Sequence, residues 1–147
     1  MHFFNQIVQN KALIIAIVAW FIAQVLKVII TLLQEKKIDF TRFVGSGGMP
    51  SSHASFSMAL TTVIGKMHHW DSPLFAISLA FALVVMYDAA GVRRATGIQA
   101  SLLNKIIHDI HENKKITEER LKELIGHTPI EVFMGALLGI LIANILY

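Results

Sequence analysis

The sequence contains no cysteine, which rules out a disulfide framework, a thiolate metal site and a thiol nucleophile. Charge is scarce as well. Charged residues make up 16% of the 147-residue chain against 54% hydrophobic, and the mean hydropathy is +0.59. That balance is too apolar for an ordinary soluble domain of this size. Linkers, low-complexity stretches and convincing internal repeats are missing, so residues 1–147 read as one integral-membrane domain. The net charge of +3 is modest and its carriers sit in particular loops, not in a stripe, so nucleic acid is not an expected partner. No Walker-type lysine loop and no hydroxyl triad is present. Residues Met1–Lys11 lack a cationic n-region and no A-x-A site follows the first apolar run, which implies a retained membrane helix and not a cleaved signal peptide.

What the chain does have is apolar runs. Leu13–Leu33 is long enough to cross a hydrocarbon core of roughly 30 Å. His53–Met67 is shorter and carries small residues at Ala54, Ser57 and Ala59, which suits the inside of a bundle. Leu74–Tyr87 is a third run, and the last extends from Thr128-Pro129 to Tyr147. Trp70, in the turn Lys66–Pro73, suits an interface anchor. Thr128 and Glu131 fit a capping box with Pro129 at the first helical position, and Gly135 and Gly139 would let the last helix pack closely on a neighbour. Between Ile98 and Ile125, apolar residues recur at helical spacing among charges. The expected fold is all-α: a polytopic membrane helical bundle with about four transmembrane helices plus an amphipathic cytoplasmic helical segment.

Threading four spans puts the loops Gln34–Ser52 and Gly91–Thr128 on one side, with ten of the thirteen Lys/Arg. Setting Arg42, Arg93 and Arg94 aside as candidate site residues leaves seven against two, and the positive-inside rule makes this face cytoplasmic in the cell membrane. That face also gathers His53, His127, Arg42, Arg93 and Arg94. His53 follows the stretch Gly45-Ser46-Gly47-Gly48-Met49-Pro50-Ser51-Ser52, whose glycines allow close backbone approach and whose Ser51 or Ser52 caps the next helix. Helix-start amides, two histidines and arginines form a setting for a phosphate-like group. Lys27, deep in the first run, would cost roughly 2.5–3.5 kcal/mol near mid-membrane, so it either snorkels to the interface or belongs to the site. Glu131 has a structural role in the capping box, and Asp88 is either an arginine partner or an interface charge. His68-His69 and the cluster His108-Asp109-Ile110-His111-Glu112 read as solvated surface, with no complete metal-ligand set.

Pro50-Ser51-Ser52-His53 resembles the P-S-G-H motif of the type 2 phosphatidic acid phosphatases, relatives of the vanadium haloperoxidases. Gly126-His127-Thr128-Pro129-Ile130-Glu131 and the helix after it resemble that family's H-x-x-x-D segment. Nearly the whole chain looks like the divergent branch of this superfamily. It departs from the parent pattern at Ser52 for glycine and Glu131 for aspartate, and in a longer arginine–histidine separation. Four spans also falls short of the usual six, and Lys27 and Arg42 are candidates for a first motif that has no clean match.

The resemblance implies hydrolysis of a lipid phosphomonoester, of phosphatidylglycerophosphate or phosphatidic acid type, through a phosphohistidine and without metal or other cofactor. His127 would be the nucleophile, Glu131 its orienting carboxylate and His53 the general acid and base. Arg93, Arg94, Arg42, Lys27, Ser51, Ser52 and Gly48 would hold the phosphate. The alternative is a protein that binds or translocates a lipid or prenyl phosphate without turnover. The partners expected are the bilayer and a membrane lipid phosphate, and self-association as a homo-oligomer is left open.

Overall fold

The structure is a computed structural model that describes residues 2–35, 48–111 and 126–147. Its elements are all helical: α1 (His2–Gln9), α2 (Lys11–Glu35), α3 (Ser52–His68), α4 (Pro73–Ala90), α5 (Val92–His111) and α6 (Pro129–Leu146). Local chemistry sets their starts. Asn10 breaks α1 from α2, its side-chain oxygen accepting from the Leu13 N–H at 3.1 Å. Ser51 caps α3, and Ser72 with Pro73 opens α4. Thr128 and Glu131 form the expected capping box at α6, with both reciprocal bonds present.

The bundle is organised around α3, which packs on α2, α4 and α6. Its contacts fix the directions of the others. Gly135 of α6 lies on the Ser51 backbone and Gly139 on the backbones of Ser55 and Ala59, so α6 runs parallel to α3. On α2, Lys27 lies beside Gly48 and Ala19 beside Ser55, while on α4 Ala89 lies near Ala54 and Ser78 beside Thr61. Both therefore run antiparallel to α3. The starts of α3 and α6 meet the ends of α2 and α4 at one pole of the bundle.

Close approach is possible because α3 presents small and hydroxyl residues. Ser55 Oγ donates to the Ala19 carbonyl at 3.1 Å, tying α3 to α2. Thr61 Oγ1 lies 2.9 Å from the Ser57 carbonyl and 3.0 Å from that of Ser78 on α4. These hydroxyls bond helix carbonyls, so burying them leaves no orphan donor. The outer faces of α4 and α6 are apolar and exposed, among them Leu83, Phe133 and Leu141, as expected where lipid and not water is the solvent.

Among the described residues, three segments can cross a membrane by length and composition: Lys11–Leu33, Pro73–Asn104 and Pro129–Leu146. They account for three of the about four crossings expected. The fourth expected crossing, α3, has only 17 residues and a polar buried face. The amphipathic segment begins earlier than its charge pattern indicates. The helix restarts at Val92, because Gly91 keeps right-handed helical torsions instead of breaking the chain.

A Cβ at Gly139 would meet the α3 backbone, which cannot yield as a flexible side chain can. Gly139→Val is therefore expected to destabilise the bundle by about 1–3 kcal/mol or more. Thermal unfolding in detergent checks this, against Phe133→Ala on the exposed face as a control.

Candidate functional site

The candidate site lies at the pole where four helix ends converge. The chain enters α6 through Gly126 at a positive φ of 115°, and His127 follows with 1% of its surface exposed. Its backbone is pinned from the side: the His127 N–H donates to the Ala89 carbonyl at the end of α4, at 2.9 Å. Glu131 then reaches back one helical turn. Its Oε2 lies 3.1 Å from His127 Nδ1 and accepts the Thr128 N–H at 3.0 Å. One carboxylate oxygen thus serves both the cap and the imidazole. A further bond, from the Ser51 N–H to the Glu131 carbonyl at 2.9 Å, locks the start of α3 to the start of α6.

With Nδ1–H given to the carboxylate, the lone pair of the neutral ring is on Nε2. Nε2 is buried and has no hydrogen-bond partner among the described residues. Burial pushes the His127 pKa below the ordinary imidazole value, and the ammonium of Lys27 adds to that effect. The Glu131 side chain and the Gly48 backbone oppose it. The ring is therefore biased towards its neutral, nucleophilic form.

His53, on the first turn of α3, is exposed, with its ring centroid 6.3 Å from that of His127 at an interplanar angle of 65°. Lys27 does not snorkel. It is 1% exposed, and its side chain passes against Gly48, whose φ of +85° and missing Cβ leave the aliphatic stem its path. Ser51 and Ser52 are buried. The Ser51 hydroxyl is engaged as the cap of α3, accepting from the Ala54 N–H at 3.4 Å.

Of the residues expected from the sequence, His127, Glu131, His53, Lys27, Gly48, Ser51 and Ser52 stand together at this pole. Arg42 lies outside the described residues, as do the side chains of Arg93 and Arg94, although the backbone of α5 carries those two arginines just beyond Ala89. His68 and His69 are at the opposite pole. The cluster His108–Glu112 falls outside the described side chains. Ala89 was not foreseen. It acts through its carbonyl, and only its place among small residues at the end of an apolar run marks it.

No solved structure matches this chain. At the sequence level it is 41% identical over 152 residues to YuiD of Bacillus subtilis (strain 168), described as an uncharacterized membrane protein, with 96% of each chain covered. The family model described as "Divergent PAP2 family" matches residues 8–142, which takes in both histidine motifs, α2, α3, α4 and all but the last turn of α6. The chain belongs to the divergent PAP2 family.

Proposed function

We propose that this protein is a membrane phosphatase that hydrolyses a lipid phosphomonoester through a phosphohistidine. The observation that carries the reading is the state of His127: Nδ1 is held by Glu131, the buried Nε2 is unpartnered among the described residues, and the His53 ring stands 6.3 Å away, centroid to centroid. Nε2 attacks phosphorus as the bond to the lipid alkoxide oxygen breaks, and His53 supplies the proton that oxygen takes up. His53 then accepts a proton from water, whose oxygen attacks phosphorus and breaks the N–P bond. Inorganic phosphate leaves and His127 returns to its starting state. Lys27, with Arg93, Arg94 and Arg42, balances the charge on the phosphoryl oxygens, and the first-turn amides of α3 add donors. No step in this scheme uses a metal. In the binding alternative the same pocket holds a lipid phosphate without turnover. It is favoured by one observation, that Glu131 is already committed to the capping box.

The test is phosphate release by purified protein in chelator from a panel of phosphatidate, phosphatidylglycerophosphate and prenyl phosphate. Release from any of them supports the phosphatase. Tight binding of all with no release moves the protein to the binding class, and a requirement for added divalent ion overturns the mechanism.

The site faces the cytoplasm in this reading, with α3 as a fourth crossing, on the strength of the Lys/Arg bias. The chain has no cysteine of its own, so single cysteines at Lys37 and Lys115 report sidedness cleanly. Both are expected to resist an impermeant thiol reagent in intact cells and to react after permeabilisation. Labelling of both from outside would invert the topology.

A further inference from the structure

Beyond His53, one face of α3 takes no part in the chemistry above, yet its register ties it to the site. α6 packs on the side of Ser51, Ser55 and Ala59, α2 shares a buried cluster with Ala59 and Val63, and α4 meets Ala54, Thr61 and Gly65. The remaining face follows the line His53, Leu60, Ile64, Met67, spaced i, i+7, i+11 and i+14 on a helix of 3.6 residues per turn. Among the described residues α2 and α4 do not pack on each other. That line is therefore the floor of an open groove with α2 and α4 as its walls. Leu60 and Ile64 are half-buried, as in a recess and not on a ridge. Towards the far pole the groove widens into an open cavity of about 1070 Å³, lined by Leu60, Ile64, Ile77 and Phe81 and, at its polar end, by Asn10 and Lys11.

We infer that this groove holds the hydrocarbon tail of the lipid whose phosphate lies at His127, an assignment that rests on the lipid-phosphate reading of that site. The floor begins at His53 itself, so a chain attached to a phosphoryl group between the two histidines enters the groove directly. From His53 to Met67 the helix rises about 21 Å, more than half of a hydrocarbon core of roughly 30 Å. One long acyl or prenyl chain can lie along it at full length. From Leu60 to Met67 the floor is apolar, as is the α4 wall at Ile77 and Phe81, so hydrocarbon fits there, while Gln6, Gln9, Asn10 and His68 make the far end polar. The polar side chains at the far end, Gln6, Gln9, Asn10 and Lys11 among them, mark where hydrocarbon ceases to fit. An octanoyl chain, half the length of a hexadecanoyl chain, ends before it fills the cavity and forfeits that burial.

Two measurements on the purified full chain in phosphatidylcholine vesicles test the assignment. The first uses phosphatidate carrying a photoreactive diazirine at the end of a hexadecanoyl chain, with phosphatidylcholine bearing the same group as comparison. Crosslinks are expected at Ile64, Ile77 or Phe81 from the phosphatidate probe, competed by unlabelled phosphatidate. Equal crosslinking from the phosphatidylcholine probe, or crosslinks confined to the outer face of α6, would overturn the groove. The second compares kcat/KM on dihexadecanoyl and dioctanoyl phosphatidate. Ile64→Trp, which fills the groove, is expected to lower the long-to-short ratio by about tenfold or more, whereas Phe133→Trp on the exposed face of α6 is expected to leave it unchanged. An unaltered ratio in Ile64→Trp counts against the assignment. Selective crosslinking without any phosphate release keeps the groove and overturns the phosphatase instead.

Discussion

Replacing His127 with alanine is expected to lower phosphate release by about 10⁴–10⁶-fold, the scale of loss on removing a covalent nucleophile. Binding of a non-hydrolysable phosphonate analogue should change little, because the cationic groups around the phosphate remain. That separation matters, since His127 is buried and its backbone also holds α6 to Ala89. A variant that merely unfolded would lose both properties, so retained binding is the internal control. Asparagine at 127 keeps polarity without a phosphorylatable nitrogen and should be equally inactive. His53→Ala should behave differently. Its defect should be largest on lipid alkoxides and smallest on an aryl phosphate, whose leaving group needs no proton. Vanadate should inhibit the parent protein by forming a trigonal-bipyramidal adduct on Nε2, and should lose affinity in the His127 variant far more than the phosphonate does. Wild-type turnover by His127→Ala would end the nucleophile assignment.

The parts of this fold that were legible in the sequence are those set by short-range chemistry. The capping box at Thr128 and Glu131, the Ser51 cap and the apolar runs depend on neighbours within one helical turn, and spacing alone reveals them. Gly135 and Gly139 announced a close approach but not its partner, because the partner is the backbone of α3, and a carbonyl leaves no trace in residue identity. Ala89 escaped notice for the same reason. Lys27 was undecided because sequence gives depth along α2 but not which way the side chain turns. The packing of Gly48 against its stem settles that it turns inward. Length and apolarity alone do not mark α3 as a crossing, because burial by three neighbouring helices, not contact with lipid, accounts for a short run rich in serine and threonine. The gathering of the histidine motifs at one pole was legible only through threading. It follows from α3 and α6 running parallel, which the contacts of their glycines establish.

The second large effect is expected at Lys27. A cation held against Gly48 at 1% exposure acts in a low-dielectric setting, where it stabilises charge on a transferring phosphoryl group far more than a surface lysine could. Lys27→Met keeps the apolar stem and volume and removes only the charge, so the bundle should fold while turnover falls by about 10²–10³-fold. A purely structural lysine would give a different pattern, and the pH profile tells the two apart. His127 must be neutral for Nε2 to attack, so kcat/KM declines as the pH falls through the pKa of His127 in the folded protein. Burial and Lys27 both lower that pKa, which places the acid limb below the ordinary imidazole range. Removing the charge of Lys27 leaves only burial to lower it, against the Glu131 side chain and the Gly48 backbone, so the limb of Lys27→Met should move towards higher pH. Comparing parent and variant on one substrate cancels the substrate's own phosphate titration. Gly48→Ala should reproduce the loss while leaving the lysine in place. Its Cβ would press on the lysine stem and its φ of +85° is strained for any side chain. Full activity in Lys27→Met with an unmoved acid limb would remove the lysine from the site.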